Sequence, residues 1–118
     1  MARTLRPADP ALVEECLGRR RAHALTAADQ RVLVKHFLAV LAQRAPGNSV
    51  EIRVPPFAAV QAIAGVRHTR GTPPAVVELD ADTWLELALG ELSWAEAEAT
   101  ARLSASGERA DLSPYLPV

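Results

Sequence analysis

Cysteine is nearly absent from this chain: Cys16 stands alone among 118 residues. One thiol excludes an internal disulfide and a metal site built on paired cysteines. Charge of one sign is missing too, since 13 Lys plus Arg face 14 Asp plus Glu, a formal net charge of -1. So small an imbalance gives no general attraction to nucleic acid or to an anionic membrane, and any electrostatic function has to be local. Lysine occurs once, at Lys35. No apolar run approaches the roughly 20 residues that cross a bilayer, and the first residues, M-A-R-T-L-R-P, lack the apolar segment of a signal peptide. The expectation is a soluble cytoplasmic domain without stable membrane insertion.

What is present suffices for a core. A chain of this length folds as one domain and buries roughly two-thirds of the surface its unfolded form exposes. We divide it into N-terminal helices over 1–47 and a sheet with a helix pair over 48–118. Asp9 before Pro10 is a helix start, because the carboxylate accepts from free amides while proline tolerates the first helical position. Leu12, Val13, Cys16 and Leu17 form its apolar face, and Gly18 is expected to end it, leaving Arg19 to Arg21 as a solvated basic turn. Thr26 and Asp29 have the spacing of a capping box, and Leu33, Val34, Phe37, Leu38 and Leu41 recur on one face of the helix that follows. Pro46 and Gly47 stop it. His36 lies beside that stripe as a partly exposed helix histidine.

The periodicity then changes. Val50, Ile52 and Val54 alternate with Glu51 and Arg53, the pattern of a strand with one wet face. Phe57 to Ile63 resumes after Pro55 and Pro56, either as a second strand antiparallel to the first or as the continuation of one bent edge strand. Gly65 to Pro74 is turn-rich, and Val76 to Leu79 is a third strand. Asp80 and Asp82 both offer caps for a helix containing Trp84, Leu85, Leu87, Ala88 and Leu89, which Gly90 closes. Ser93 and Glu96 begin another helix at Trp94. Leu103 and Ala105 alternate with polar neighbours up to Gly107, and the tail around Leu112, Tyr115 and Leu116 adds a final strand or a packed extended end.

The order strand, strand, strand, helix, glycine turn, helix, strand, with W-L-E-L-A-L-G-E-L-S-W-A-E-A, V-E-I-R-V-P-P-F-A-A-V-Q and R-H-T-R-G-T-P-P, resembles the sterol carrier protein family. The likeness is to its small bacterial members, and it covers Ser49 to Val118 best. It implies an α/β fold of the α+β type: a curved, mainly antiparallel sheet of about five strands, helices packed on one face, and an apolar tunnel between the layers. It also implies non-enzymatic binding of a fatty acyl or sterol-like molecule in that space.

On this reading Phe57, Val60, Ile63, Trp84, Leu87 and Leu103 are a ligand wall and Gln61 a group that orients the ligand, since lipid pockets are mostly apolar with a few polar groups. The alternative is that these residues are core and touch one another. Trp84 and Trp94 could meet across the Gly90 turn. Arg67, His68 and Arg70 are candidates to hold an anionic head through charge-assisted hydrogen bonds, against the plainer reading of a solvated loop. No nucleophile with a positioned acid or base is recognisable, and His23, His36 and His68 lack metal-ligand spacing. No cofactor is expected, and no nucleic acid partner. The partner expected is a lipid-like small molecule; the alternatives are a protein-interaction or homodimer module that keeps the fold with its tunnel filled, or an accessory domain to an enzyme.

Overall fold

The computed structural model describes residues 5–65, 75–107 and 110–118. The first helix, α1 (Pro10–Arg21), begins as expected, with the Asp9 carboxylate accepting from the Ala11 amide. It does not stop at Gly18. It runs on for one more turn, so that Arg19, Arg20 and Arg21 occupy the helix C-terminus, where cations are favoured by the helix dipole. Two of them are fixed by distant carboxylates: Arg19 pairs with Asp29 and Arg20 with Glu91. Those long-range pairs are what carry the helix past its glycine. Val13 and Cys16 are buried, whereas Leu12 is 39% exposed.

The next helix, α2 (Ala27–Arg44), carries the anticipated capping box, Thr26 Oγ1 accepting from the Asp29 amide and the Asp29 carboxylate from that of Thr26. All five stripe residues, Leu33, Val34, Phe37, Leu38 and Leu41, are buried. Asp29 also binds the Arg19 guanidinium through both oxygens, at 2.7 and 2.8 Å, and accepts from Cys16 Sγ at 3.6 Å. The guanidinium holds this carboxyl well below the usual carboxylate range, while burial, with the Asp29 charge second, pushes the Cys16 thiol up. One acidic side chain thus caps α2 and ties it to α1.

Four strands form one sheet: β1 (Val50–Val54), β2 (Ala58–Ala62), β3 (Ala75–Leu79) and β4 (Leu103–Ser106), in the order β2-β1-β3-β4. β1 and β2 are antiparallel, and so are β3 and β4, but the central pair β1 and β3 is parallel. The sheet among the described residues is therefore mixed and four-stranded, which corrects the expectation of about five mainly antiparallel strands. Two reversals, after β1 and after β2, restore the original chain direction. β3 then takes its place inside, against β1, rather than beyond β2. Inward-facing Val50, Ile52, Val54, Val77 and Leu79 make β1 and β3 the most apolar strands, which favours the centre, while the Ala-rich and Ser-rich β2 and β4 take the edges. No fifth strand forms in the described tail: Ser113–Tyr115 is a single 3-10 turn, Leu112 is fully buried, and the Val118 amide donates to the Ala88 carbonyl at 3.0 Å.

Two further helices, α3 (Ala81–Ala88) and α4 (Trp94–Ala99), complete the fold. Asp80 rather than Asp82 caps α3, accepting from the Thr83 amide at 2.7 Å, while Asp82 accepts from Gln30 on α2. Ser93 caps α4. The inner sheet face, the α2 stripe and the inner side of α3 share one core. On the opposite sheet face Arg53, Ala59, Gln61, Glu78 and Ser104 are exposed. One face of the sheet is covered and the other is wet.

Candidate functional site

The expected wall residues fall into three places. Trp84 and Leu87, on α3, are 0% and 1% exposed, and the Trp84 indole N–H donates to the Val34 carbonyl at 3.3 Å. Val60 lies in β2, opposite Ile52, and Phe57 and Ile63 flank the strand; Phe57 and Val60 are half-buried and Ile63 is buried. Leu103, half-buried on β4, is paired with Leu79. β2 and β4 are opposite edges of the sheet, about 14 Å apart at the usual strand spacing. The set thus samples both edges of the inner layer and the helix above it. Gln61 is exposed on the wet face, opposite Glu51, away from the apolar side chains it was expected to serve. Arg67, His68 and Arg70 lie outside the described residues.

A groove of about 380 Å³ opens where the α3–α4 turn meets the C-terminal tail. Leu87, Leu92, Trp94, Leu116 and Pro117 supply its apolar lining, and Glu91, Ser93, Glu96 and Ser113 its polar one. Local chemistry builds it. Gly90 takes φ +79°, a left-handed angle that costs an L side chain roughly 1–2 kcal/mol, and the chain reverses there. A β-carbon at this position would touch the Pro117 ring at 3.5 Å. The Ser93 hydroxyl accepts from the Glu96 amide and donates to its carboxylate, both at 3.1 Å, which starts α4 and fixes Trp94 behind the turn. The Val118–Ala88 hydrogen bond anchors the other wall.

Trp94 is 6% exposed, and its indole nitrogen is buried with no hydrogen-bond partner among the described residues. Leaving such a donor unpaired in the interior costs about 1–3 kcal/mol. Trp84 and Trp94 make no ring contact among the described residues.

The charges around the groove are largely spoken for. Arg20 donates twice to Glu91, at 2.7 Å each, and holds that carboxyl below its ordinary range. Glu86, just outside, is paired with Arg102. Glu96 has no ion-pair partner among the described residues. No group of three or more His, Cys, Asp or Glu side chains that could hold a metal ion occurs among the described residues. No described helix is long and apolar enough to cross a membrane.

Of the expected site residues that are described, Leu87 alone lines this groove. Leu92, Trp94, Glu96, Leu116 and Pro117 were not anticipated as its lining. The signal that could have found them is the pairing of a glycine turn and its flanking leucines with a tail holding Pro114, Leu116 and Pro117. Joining the two requires knowing that the tail returns to α3. A family model described as "Bacterial SCP ortholog" matches residues 26–118. A search of curated proteins found no match. With the match covering α2, the whole sheet, the helix pair and the tail, the chain belongs to the bacterial orthologue family of sterol carrier protein.

Proposed function

We propose that this protein binds an apolar, lipid-like molecule without acting on it chemically, and that the groove between the α3–α4 turn and the tail is where the ligand sits. One observation carries this reading: a groove of about 380 Å³, walled by Leu87, Leu92, Leu116 and Pro117 with polar side chains between them, borders Trp94, whose buried indole N–H lacks a partner among the described residues. That volume falls in the range of small-molecule sites, which combine mostly apolar walls with a few orienting polar groups. A lipid chain would lie on Leu87, Leu92, Leu116 and Pro117, and an ester, amide or hydroxyl oxygen would accept from Trp94. Membership of a sterol-carrier-like family supports the ligand class.

Native mass spectrometry of freshly purified protein, followed by lipid extraction and re-addition, tests it. A co-purifying acyl or sterol-like species is expected. Re-addition at 100 times Kd stabilises the fold by about 2.7 kcal/mol, because the ligand binds the folded state selectively. Failure of a broad lipid panel to bind or to raise Tm removes the proposal.

The alternative, a filled tunnel serving protein association, is favoured by the burial of Trp84, Leu85 and Leu87 at 0–1% exposure. Light scattering distinguishes it: a concentration-dependent dimer with no lipid response supports association, and a monomer that binds lipid supports carriage.

A further inference from the structure

Resting on the ligand-binding reading above, we infer that Arg20 is a positioning residue for the groove, and that α1 preorganises the ligand site through the Arg20–Glu91 pair. The family match begins at residue 26, so α1 lies outside the matched span, yet it reaches the groove lining. Arg20 Nη1 and Nη2 donate to separate oxygens of Glu91, 71 positions away, at 2.7 Å each. A two-bond fork of this kind sets direction as well as distance, which a point charge does not. The other end of the link is anchored too. Neighbouring Arg19 binds both oxygens of Asp29, whose carboxylate also caps α2, so the last turn of α1 is tied to the core layer.

Glu91 sits in the turn that most needs such support. Gly90 reverses the chain at φ +79°, and the Glu91 and Leu92 amides share the Glu86 carbonyl, at 2.8 and 3.3 Å, which ties the turn to α3 from within. Arg20 ties it from outside. The nearby acids Glu86 and Asp82 have partners of their own in Arg102 and Gln30, which leaves Glu91 to Arg20. Without Arg20 the Glu91 carboxylate takes back its water and moves freely in the groove lining. A ligand then has to order the turn before it packs on Leu87 and Leu92, an ordering cost that the pair otherwise removes in advance.

Calorimetric titration with decanol, below its solubility limit, tests this on the intact wild-type protein, Arg20→Gln, Glu91→Gln and the double variant. Each single variant is expected to bind about fivefold more weakly, the upper size for one partly exposed charge pair. The double variant should bind no more weakly than either single one, because the two side chains act through one interaction. Affinity is read at a temperature where circular dichroism shows each variant folded, so a loss of stability by itself does not change it. Arg20→Lys keeps the charge without the fork and should bind between Arg20→Gln and wild type; it carries the comparison should Arg20→Gln not fold. If wild type binds and the variants bind as tightly, or the two single losses add in the double variant, the positioning role is overturned and the ligand site stands. If wild type does not bind decanol, the ligand reading falls and this inference with it.

Discussion

Trp84 and Trp94 are ten positions apart on successive helices, yet they live in opposite circumstances. Trp84 is fully buried at the junction of α2 and α3 and spends its N–H on the Val34 carbonyl. Trp94 is nearly as buried, lines the groove, and has no partner for the same atom among the described residues. Burial area alone would rank them together. The difference is polar satisfaction: the Trp84 indole is paired within the fold, and the Trp94 indole, beside the groove, is not paired among the described residues.

The largest expected effect follows from Trp84. Trp84→Ala should lower unfolding free energy by about 3–5 kcal/mol, the usual cost of emptying a large aromatic site in a core. Trp94→Phe, which deletes the unpaired donor while keeping most of the ring, should change it by less than about 1 kcal/mol. Urea denaturation of the two variants compares them directly. Equal losses would erase the contrast.

A smaller effect is expected at the turn that separates the two residues. Gly90→Ala should cost about 1–2 kcal/mol for its left-handed angle and weaken ligand binding, since the added methyl meets Pro117 at the groove. Stability loss with unchanged ligand affinity would show that the turn matters to folding alone.

The smallest effect lies far from both tryptophans and serves as a control. His36 Nδ1 accepts from the Ala8 amide at 3.0 Å, and burial pushes this histidine below its ordinary pKa of 6.5. The folded state thus prefers the neutral ring. Its contribution is fully present above pH 6.5 and is lost as the pH falls through the lower folded value, because the unfolded chain takes up the proton first. Melting curves from about pH 7.5, roughly one unit above the ordinary histidine value, down to about pH 5 should show a modest decline that flattens in His36→Gln. Ligand affinity in the groove should not follow it.

Much of the fold was readable locally. Thr26 with Asp29, Asp80 with Thr83 and Ser93 with Glu96 are contacts three residues apart, so their side chains announce helix starts without reference to the rest of the chain. The alternation in β1 was equally local. Gly18 misled because Arg19 and Arg20 find partners at Asp29 and Glu91, and the second of these is 71 positions away. The parallel pairing of β1 with β3 depends on which side of β1 the chain returns to, which no short window encodes. The groove was hidden for the same reason: it exists only where the tail meets residues 87–96. Gln61 shows the limit from the other direction, since its polarity within an apolar run coincides with an exposed position on the wet sheet face.

The most direct test uses the two indole N–H signals in a proton–nitrogen correlation spectrum, assigned with Trp94→Phe and followed during titration with decanol. Binding in the groove predicts a saturable shift of the Trp94 signal while the Trp84 signal, held by Val34, stays in place. A shift of Trp84 with Trp94 unmoved, or no shift in either, would contradict it.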